Sequence, residues 1–234
     1  MNDQSNENVI VTKDVTKEYS ENGIPVQAVC GVDLSIGRGE FTAIVGPSGS
    51  GKTTFLNLIS GLDVVTSGKI WLSGKPISEM SGGELSDFRR DNIGFIFQAY
   101  NLIPVLSVEE NVEYIMLLQG EPPGVRQKRV GAILTELGLE GFENRRPPQL
   151  SGGQQQRVAV ARAIVSEPAI VLADEPTANL DSRTAIELIE MMRRLNESRG
   201  ITFVFSTHDS RVMERARRLV VLRDGRIDSD EVRQ

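Results

Sequence analysis

Nine residues, Gly46-Pro47-Ser48-Gly49-Ser50-Gly51-Lys52-Thr53-Thr54, constrain this chain more than any other stretch. They match G-x-x-x-x-G-K-S/T, a loop whose backbone wraps a polyphosphate. The flanks agree. Phe41 to Val45 reads as a short buried strand, and Thr54 to Ser60 as a helix that stops at Gly61. Glycines let the backbone come close to phosphate oxygens and turn its N–H groups inward. The helix start adds unpaired N–H donors and a partial positive charge. Gly46, Ser48, Gly49, Ser50, Gly51 and Thr54 are therefore expected to line a nucleotide's phosphates. Lys52 is expected to reach the β- and γ-phosphates, and the Thr53 hydroxyl to ligate Mg²⁺.

A chain of 234 residues with 39% apolar and 25% charged side chains can fill one large core or one core with a subdomain. The net charge of -6 argues against a general nucleic-acid binder, which carries a basic excess, but not against nucleotide binding, which needs only local donors. Cys30 is the single cysteine, which excludes an internal disulfide and a cysteine metal cluster. Met1 to Asn8 is polar and acidic, read as a frayed tail and not a signal peptide. No uncharged apolar run approaches the roughly 18 residues of a membrane span. Any membrane role is expected to come through a partner.

Along the chain, Val9–Lys17 and Gln27–Ile36 alternate like an antiparallel strand pair around the turn-rich Ser20–Pro25. Tyr19 at that turn offers a face on which a purine can stack; from position alone it is equally a rim tyrosine. Lys69–Pro76 reads as strand and turn, and Ile93–Phe97 as a strand ending at Gln98. Capping boxes at Ser81-Gly82-Gly83-Glu84 and Ser107-Val108-Glu109-Glu110 open helices. Val125–Leu137 reads as another helix. The stretch from about Glu84 to Val165 is thus mostly helical, set between regions where strands and helices alternate. That pattern predicts an α/β nucleotide-binding domain with an antiparallel β subdomain and an inserted helical subdomain. Further on, Ser182–Arg199 is a long helix stopped by Gly200, with Ile186, Ile189 and Arg193 on one stripe and Leu188, Met192 and Leu195 beside it. Ile201–Ser206 is a strand, Asp209–Arg218 a helix, and Leu219–Ile227 a hairpin.

Two further motifs carry chemistry. Ile170-Val171-Leu172-Ala173 is a buried strand ending in Asp174-Glu175, with Pro176 forcing its exit. In parallel α/β sheets that edge faces the ligand, and successive strand side chains point different ways. Asp174 is placed to hold Mg²⁺, and Glu175 to orient or deprotonate an attacking water. Leu150-Ser151-Gly152-Gly153-Gln154-Gln155-Gln156-Arg157 begins a helix with Val158, Ala161, Ala163 and Val165 on its apolar stripe. Its exposed N–H groups make a second anion site. One fold rarely needs two γ-phosphate cradles, so the second is expected to serve a nucleotide held by another subunit. Ser81-Gly82-Gly83-Glu84 shares the Ser-Gly-Gly but lacks the preceding leucine, the glutamine run and a following Asp-Glu strand; it reads as a plain helix cap.

Taken together, the phosphate loop, Gln98, Leu150–Gln154, Asp174-Glu175, Asn179-Leu180-Asp181 and His208 resemble the ATP-binding-cassette (ABC) family of ATPases in order and approximate spacing, over roughly Val9 to Asp228. The resemblance implies that Tyr19 stacks on adenine and that Gln98 senses Mg²⁺ and the attacking water while its loop touches the transporter. It implies that Ser151, Gly153 and Gln154 bind the γ-phosphate across a head-to-tail dimer, that Asp181 couples the two sites, and that His208, the single histidine, contacts the γ-phosphate. ATP and Mg²⁺ are the implied cofactors. A second ATPase subunit and an integral membrane subunit are the implied partners, with no nucleic acid.

The finer text, including Gly31-Val32-Asp33-Leu34, Thr66-Ser67-Gly68, Asn101-Leu102-Ile103-Pro104, Glu110-Asn111-Val112 and Gln154-Gln155-Gln156-Arg157, resembles the lipoprotein-releasing and macrolide-exporting branch (LolD/MacB type). That branch implies peripheral placement at the cytoplasmic face of the inner membrane. An importer ATPase and a soluble regulatory cassette are the other readings. An importer-style C-terminal regulatory domain is not expected after the final hairpin. A GTPase or small-molecule kinase would not need the Leu150 motif, and the Asn-Lys-x-Asp guanine-reading motif is missing.

Overall fold

The computed structural model describes residues 8–21 and 23–233. The segment read as a tail falls almost wholly on residues 1–7, outside the described residues, while Asn8 already begins a strand. The strands are β1 (Asn8–Glu21), β2 (Ile24–Gly37), β3 (Phe41–Val45), β4 (Ser67–Leu72), β5 (Lys75–Pro76), β6 (Ile93–Ile96), β7 (Ile170–Asp174), β8 (Phe203–Thr207), β9 (Arg218–Arg223) and β10 (Arg226–Val232). The helices are α1 (Lys52–Ile59), α2 (Gly82–Asn92), α3 (Val108–Leu118), α4 (Pro123–Glu136), α5 (Gly152–Ile164), α6 (Ser182–Arg199) and the single turn α7 (Ser210–Met213).

Two sheets result. One is antiparallel in the order β2-β1-β4-β5; the other runs β10-β9-β3-β8-β7-β6 and is parallel from β9 to β6. Alternation along the central strands sends side chains to two cores. Phe41, Ala43 and Val45 with Val171, Ala173, Phe203 and Phe205 face α3–α6. Ile44, Leu172 and Val204 face α1 and the antiparallel sheet. On the first face Phe41 meets Phe205 with ring centroids 4.6 Å apart. Both faces of this sheet are covered, which is why its strands read as unbroken apolar runs.

Several sequence expectations change. The β1–β2 pairing continues through Ser20 with Pro25 and Glu21 with Ile24, so the turn is tighter than Ser20–Pro25. Polar residues there occupy strand positions because register, once set, propagates to the tip. The strand expected over Ile93–Phe97 does form, as β6, and pairs with β7 in the parallel sheet. On α6 the buried stripe is Ala185, Leu188, Ile189, Met192 and Leu195, and Ile186 and Arg193 sit at its margin. This is i, i+3, i+4, i+7 spacing counted from Ala185. Helix α5 is buried around most of its girth, with Ala159, Val160 and Ile164 joining the four stripe residues, because it packs on β6, α3 and α6 together. The helix expected over 209–218 shrinks to α7, since Arg218 is already paired with β3 and β10.

Candidate active site

The phosphate loop leaves β3 at Val45 and enters α1 at Lys52. Its two ends press on neighbouring backbone. A Cβ on Gly46 would lie 2.1 Å from the Leu222 carbonyl oxygen, and one on Gly51 2.2 Å from that of Ala28, where φ is also +97°. Only glycine lets the loop sit this close. From below, Gly225 N–H donates to Ser50 O at 3.1 Å, so the β9–β10 turn buttresses the loop. Helix α1 has no side-chain cap and no acidic residue in its first turn, which leaves its amides and dipole to an anion. Lys52 is 8% exposed and arches back, donating from Nζ to Gly46 O at 2.9 Å and Pro47 O at 3.0 Å. Ser50 Oγ is buried without a partner.

Asp174 ends β7 beside β8, and the Thr53 hydroxyl donates to Asp174 Oδ1 at 3.2 Å. Burial pushes the Asp174 carboxyl above the usual carboxylate range, and the charge of Glu175 adds to this; the Thr53 hydrogen bond and the charge of Lys52 oppose it. Among the described residues no three His, Cys, Asp or Glu side chains gather as a metal cluster. One carboxylate and one hydroxyl in contact suit Mg²⁺, which completes its shell with water and substrate phosphates. The buried Ser50 hydroxyl and the amide-lined loop suit the polyphosphate.

Glu175 takes a left-handed conformation, φ 46°, with its N–H bonded to Ser206 O at 2.8 Å. For a non-glycine residue this is strained and persists only where surroundings enforce it. Its carboxylate is held twice. Thr207 Oγ1 donates to Oε2 at 3.1 Å, and His208 Nδ1 lies 2.6 Å from Oε1, which requires the Nδ1–H form to donate. Behind this pair, Thr177 donates to Asp209 at 2.7 Å, tying the segment after Glu175 to the one after His208.

One cleft of about 670 Å³ is lined by Ser48, Gly49, Gly51, Lys52, Thr53 and Thr54 from the loop and by Gln98, Glu175 and His208. These side chains come from the C-terminal ends of β3, β6, β7 and β8, four adjacent strands. Ala28 and Ala178 also line it, without a signal in their residue type. Not every predicted residue joins. Tyr19 lies on β1 and does not line the cleft, 40% exposed. Its hydroxyl donates to Asp63 at 2.6 Å, and Lys17 Nζ sits 4.8 Å from its ring centroid. Ser151, Gly153 and Gln154 open α5 outside the cleft, with Ser151 Oγ accepting from Gln154 N–H and Gln154 Oε1 from Ser151 N–H. Asp181 caps α6, accepting from the Arg183 and Thr184 amides at 3.0 Å and the Thr184 hydroxyl at 2.6 Å.

Sequence reasoning missed Thr207 as a holder of Glu175; its place beside the single histidine, at the end of an apolar strand, was the available sign. It also missed Gln156, fully buried on α5, whose Nε2 donates to Pro176 O at 2.8 Å immediately after Glu175.

Residues 29–178 match the family model described as ABC transporter. An uncharacterized ABC transporter ATP-binding protein of Thermotoga maritima is 44% identical over 220 residues, 94% of each chain. The macrolide export ATP-binding/permease protein MacB of Hyphomonas neptunium is 45% identical over 222 residues, 95% of this chain, which spans only 34% of that protein's length. A solved dimer of the ATP-binding cassette MJ0796 bound to ADP and Pi superposes with a TM-score of 0.88 at 42% identity, covering 96% of this chain and 99% of the other. MJ0796 is a protein of Methanocaldococcus jannaschii. The loop, the carboxylate pair and the matched sequence converge: the chain belongs to the ABC transporter family of ATP-binding-cassette ATPases.

Proposed function

We propose that this ABC ATPase cleaves ATP in a site completed by a second copy of the chain, and that the pair drives a separate membrane subunit of the lipoprotein-release or macrolide-export type. The observation that carries this is a division of parts. Lys52, Thr53, Gln98, Glu175 and His208 line one cleft, with Asp174 bonded to Thr53, while the second anion-binding helix start, Ser151 to Gln154, takes no part in lining it. A head-to-tail pair would bring each helix start to the other copy's γ-phosphate. The MJ0796 cassette is a dimer with ADP and Pi. In the MacB relatives the matching stretch belongs to an ATP-binding/permease protein. Among the described residues no helix is long and apolar enough to cross a membrane. Peripheral placement at the cytoplasmic face of the inner membrane follows from such a partner. The stretch from about 84 to 165, apart from β6, is then the helical subdomain that carries Ser151, Gly153 and Gln154 to the partner nucleotide, with Asp181 at the shared interface and Tyr19 against the adenine.

In this site the loop amides and Lys52 hold the phosphates, and Lys52 exchanges its two carbonyl partners for phosphate oxygens. Glu175, aimed by Thr207 and His208, orients the attacking water and takes its proton. His208 then lies beside the γ-phosphate. Thr53 and Asp174, with Gln98 nearby, would hold Mg²⁺, which would supply charge neutralisation to the polyphosphate. Catalysis of this kind rests on positioning and charge stabilisation, with each preorganised donor worth roughly 10²–10³ in rate.

The test is Glu175→Gln with ATP, followed by light scattering and by a detergent-solubilised pull-down. A stable dimer without ATP turnover, recovered with a protein of few spans and a large extracytoplasmic domain, is expected. A monomer at saturating ATP would overturn the shared site. A many-span permease would replace the export reading with an importer or another exporter, and no membrane protein at all would leave a soluble regulatory ATPase.

A further inference from the structure

The loop after β6 departs from ordinary backbone at two consecutive residues. Tyr100 and Asn101 both have positive φ, 61° and 48°. Neither is glycine, so the turn is strained and something must hold it. Three side chains do. From α5, the Arg162 guanidinium donates through Nη1 to Asn101 O at 2.5 Å and through Nη2 to Tyr100 O at 2.9 Å. From the segment after Glu175, Asn179 Nδ2 donates to Gln98 O at 2.8 Å. At the far end, the fully buried Asn111 of α3 accepts from Ile103 N–H at 2.8 Å and donates to Ile103 O at 3.1 Å.

Arg162 is the unusual member. It is half-buried, and no carboxylate pairs with it among the described residues. Burial alone pulls its guanidinium below the usual arginine range. A cation withdrawn from water and matched only by backbone carbonyls is costly for stability. The planar fork, however, matches two successive carbonyls in a way an ammonium cannot. It stands on the same helix that begins at Ser151. In addition, a Cβ on Gly152 would lie 3.1 Å from the Tyr100 hydroxyl oxygen, so the loop and the helix start touch as well.

We infer that Arg162 is a positioning residue for Gln98: it joins α5, which opens at the partner-facing Ser151, to the strained turn that carries Gln98 into this chain's own cleft. The inference rests on the proposed role of Gln98 in that cleft. A nucleotide of the partner docking on the start of α5 then acts on the geometry of Gln98 through one rigid helix and one guanidinium fork. Arg162 touches no substrate and acts through another residue.

The experiment is a double-mutant cycle on ATP hydrolysis with Arg162→Lys, Gln98→Ala and the double variant, together with equilibrium nucleotide binding and thermal unfolding of each. Arg162→Lys keeps the charge and stem and loses the fork. It is expected to lower kcat by about ten-fold, with KM and nucleotide affinity within about two-fold and an unchanged unfolding midpoint. In the double variant, Arg162→Lys is expected to cost nothing beyond Gln98→Ala, because the residue it positions is gone. Multiplying losses would overturn the proposal and make Arg162 a contributor by another route. A lysine variant with wild-type kcat, or one whose loss is all in stability, would overturn it too. If Gln98→Ala alone leaves kcat unchanged, the role of Gln98 falls and the inference with it, a result distinguishable from additivity by that single variant.

Discussion

Ser81-Gly82-Gly83-Glu84 and Ser151-Gly152-Gly153-Gln154 begin two helices with nearly the same local structure. Their cap residues have φ, ψ of -66°, 160° and -64°, 160°, and both close a reciprocal capping box. Their surroundings differ. A Cβ on Gly82 or Gly83 would meet nothing within 4 Å, whereas one on Gly153 would lie 2.5 Å from Thr184 Cγ2 and one on Gly152 3.1 Å from Tyr100 Oη. The residue closing the box is charged at the first helix start and neutral at the second. A carboxylate there answers the helix dipole internally and repels an incoming anion; an amide leaves the dipole unanswered. Cap geometry is thus nearly the same at the two helix starts, and the difference lies in charge and in what presses on the glycines.

Four measurements would break or sharpen this contrast. Gly153→Ala should be the most damaging. It drives a methyl into Thr184, whose hydroxyl is bonded to Asp181, so both the helix start and that aspartate shift. Steady-state hydrolysis should fall by about 10²-fold or more, while binding of a fluorescent ATP analogue to the monomer persists. Hydrolysis at the wild-type rate would remove the crowded glycine from the argument. Next, Gln154→Glu copies the first box onto the second. ATP-driven dimerisation, followed by sedimentation, should weaken by about ten-fold and recover partly in salt, as charge repulsion does. Unchanged dimerisation would mean that no anion docks there. By contrast, Gly82→Ala and Gly83→Ala should leave hydrolysis alone and raise stability by up to about 1 kcal/mol each in thermal melts, since alanine loses less freedom in a helix.

The smallest effect concerns pH. The side-chain and backbone hydrogen bonds of Ser81 hold the Glu84 carboxyl below its usual range. A carboxylate with a depressed folded-state pKa contributes stability that is present above its unfolded pKa and lost as pH falls through the folded one. Amide exchange at the start of α2 should therefore quicken on acidification below the ordinary glutamate range, while the Gln154 box, which has no titrating group, stays level. Equal responses at the two helix starts would mean that the charge difference is inert.

Much of this was legible in sequence because the determinants are local. The loop at Gly46–Thr54, the apolar run before Asp174 and the cap-to-Gly200 span of α6 each carry start, stop and burial signals within a few residues. The limits of β1, β2 and α7 were not legible, since register at the hairpin tip and the return of Arg218 into the sheet are set by distant pairing. The cleft's side chains were legible as residue types at strand ends. Their holders were less so: Thr207, Gln156 and Arg162 are ordinary strand and helix residues until the fold brings Glu175, Pro176 and Tyr100 to them. Asp181 shows the same limit from the other side: the geometry gives it a cap, and its coupling role was an expectation from resemblance alone.

The support beneath the phosphate loop has a consequence for synthesis. Strand β3 lies between β8 and β9, and Gly225 N–H bonds to Ser50 O, so the loop near residue 50 rests on chain made some 150 to 175 residues later. During translation the loop emerges early and waits, at roughly 5–20 residues per second, for the strands that shape it. A nascent chain stopped before β8 has the Gly46–Thr54 text and no bed for it. Ribosome-bound chains should gain nucleotide affinity abruptly, once β9 and its turn clear the exit tunnel, and not in proportion to length.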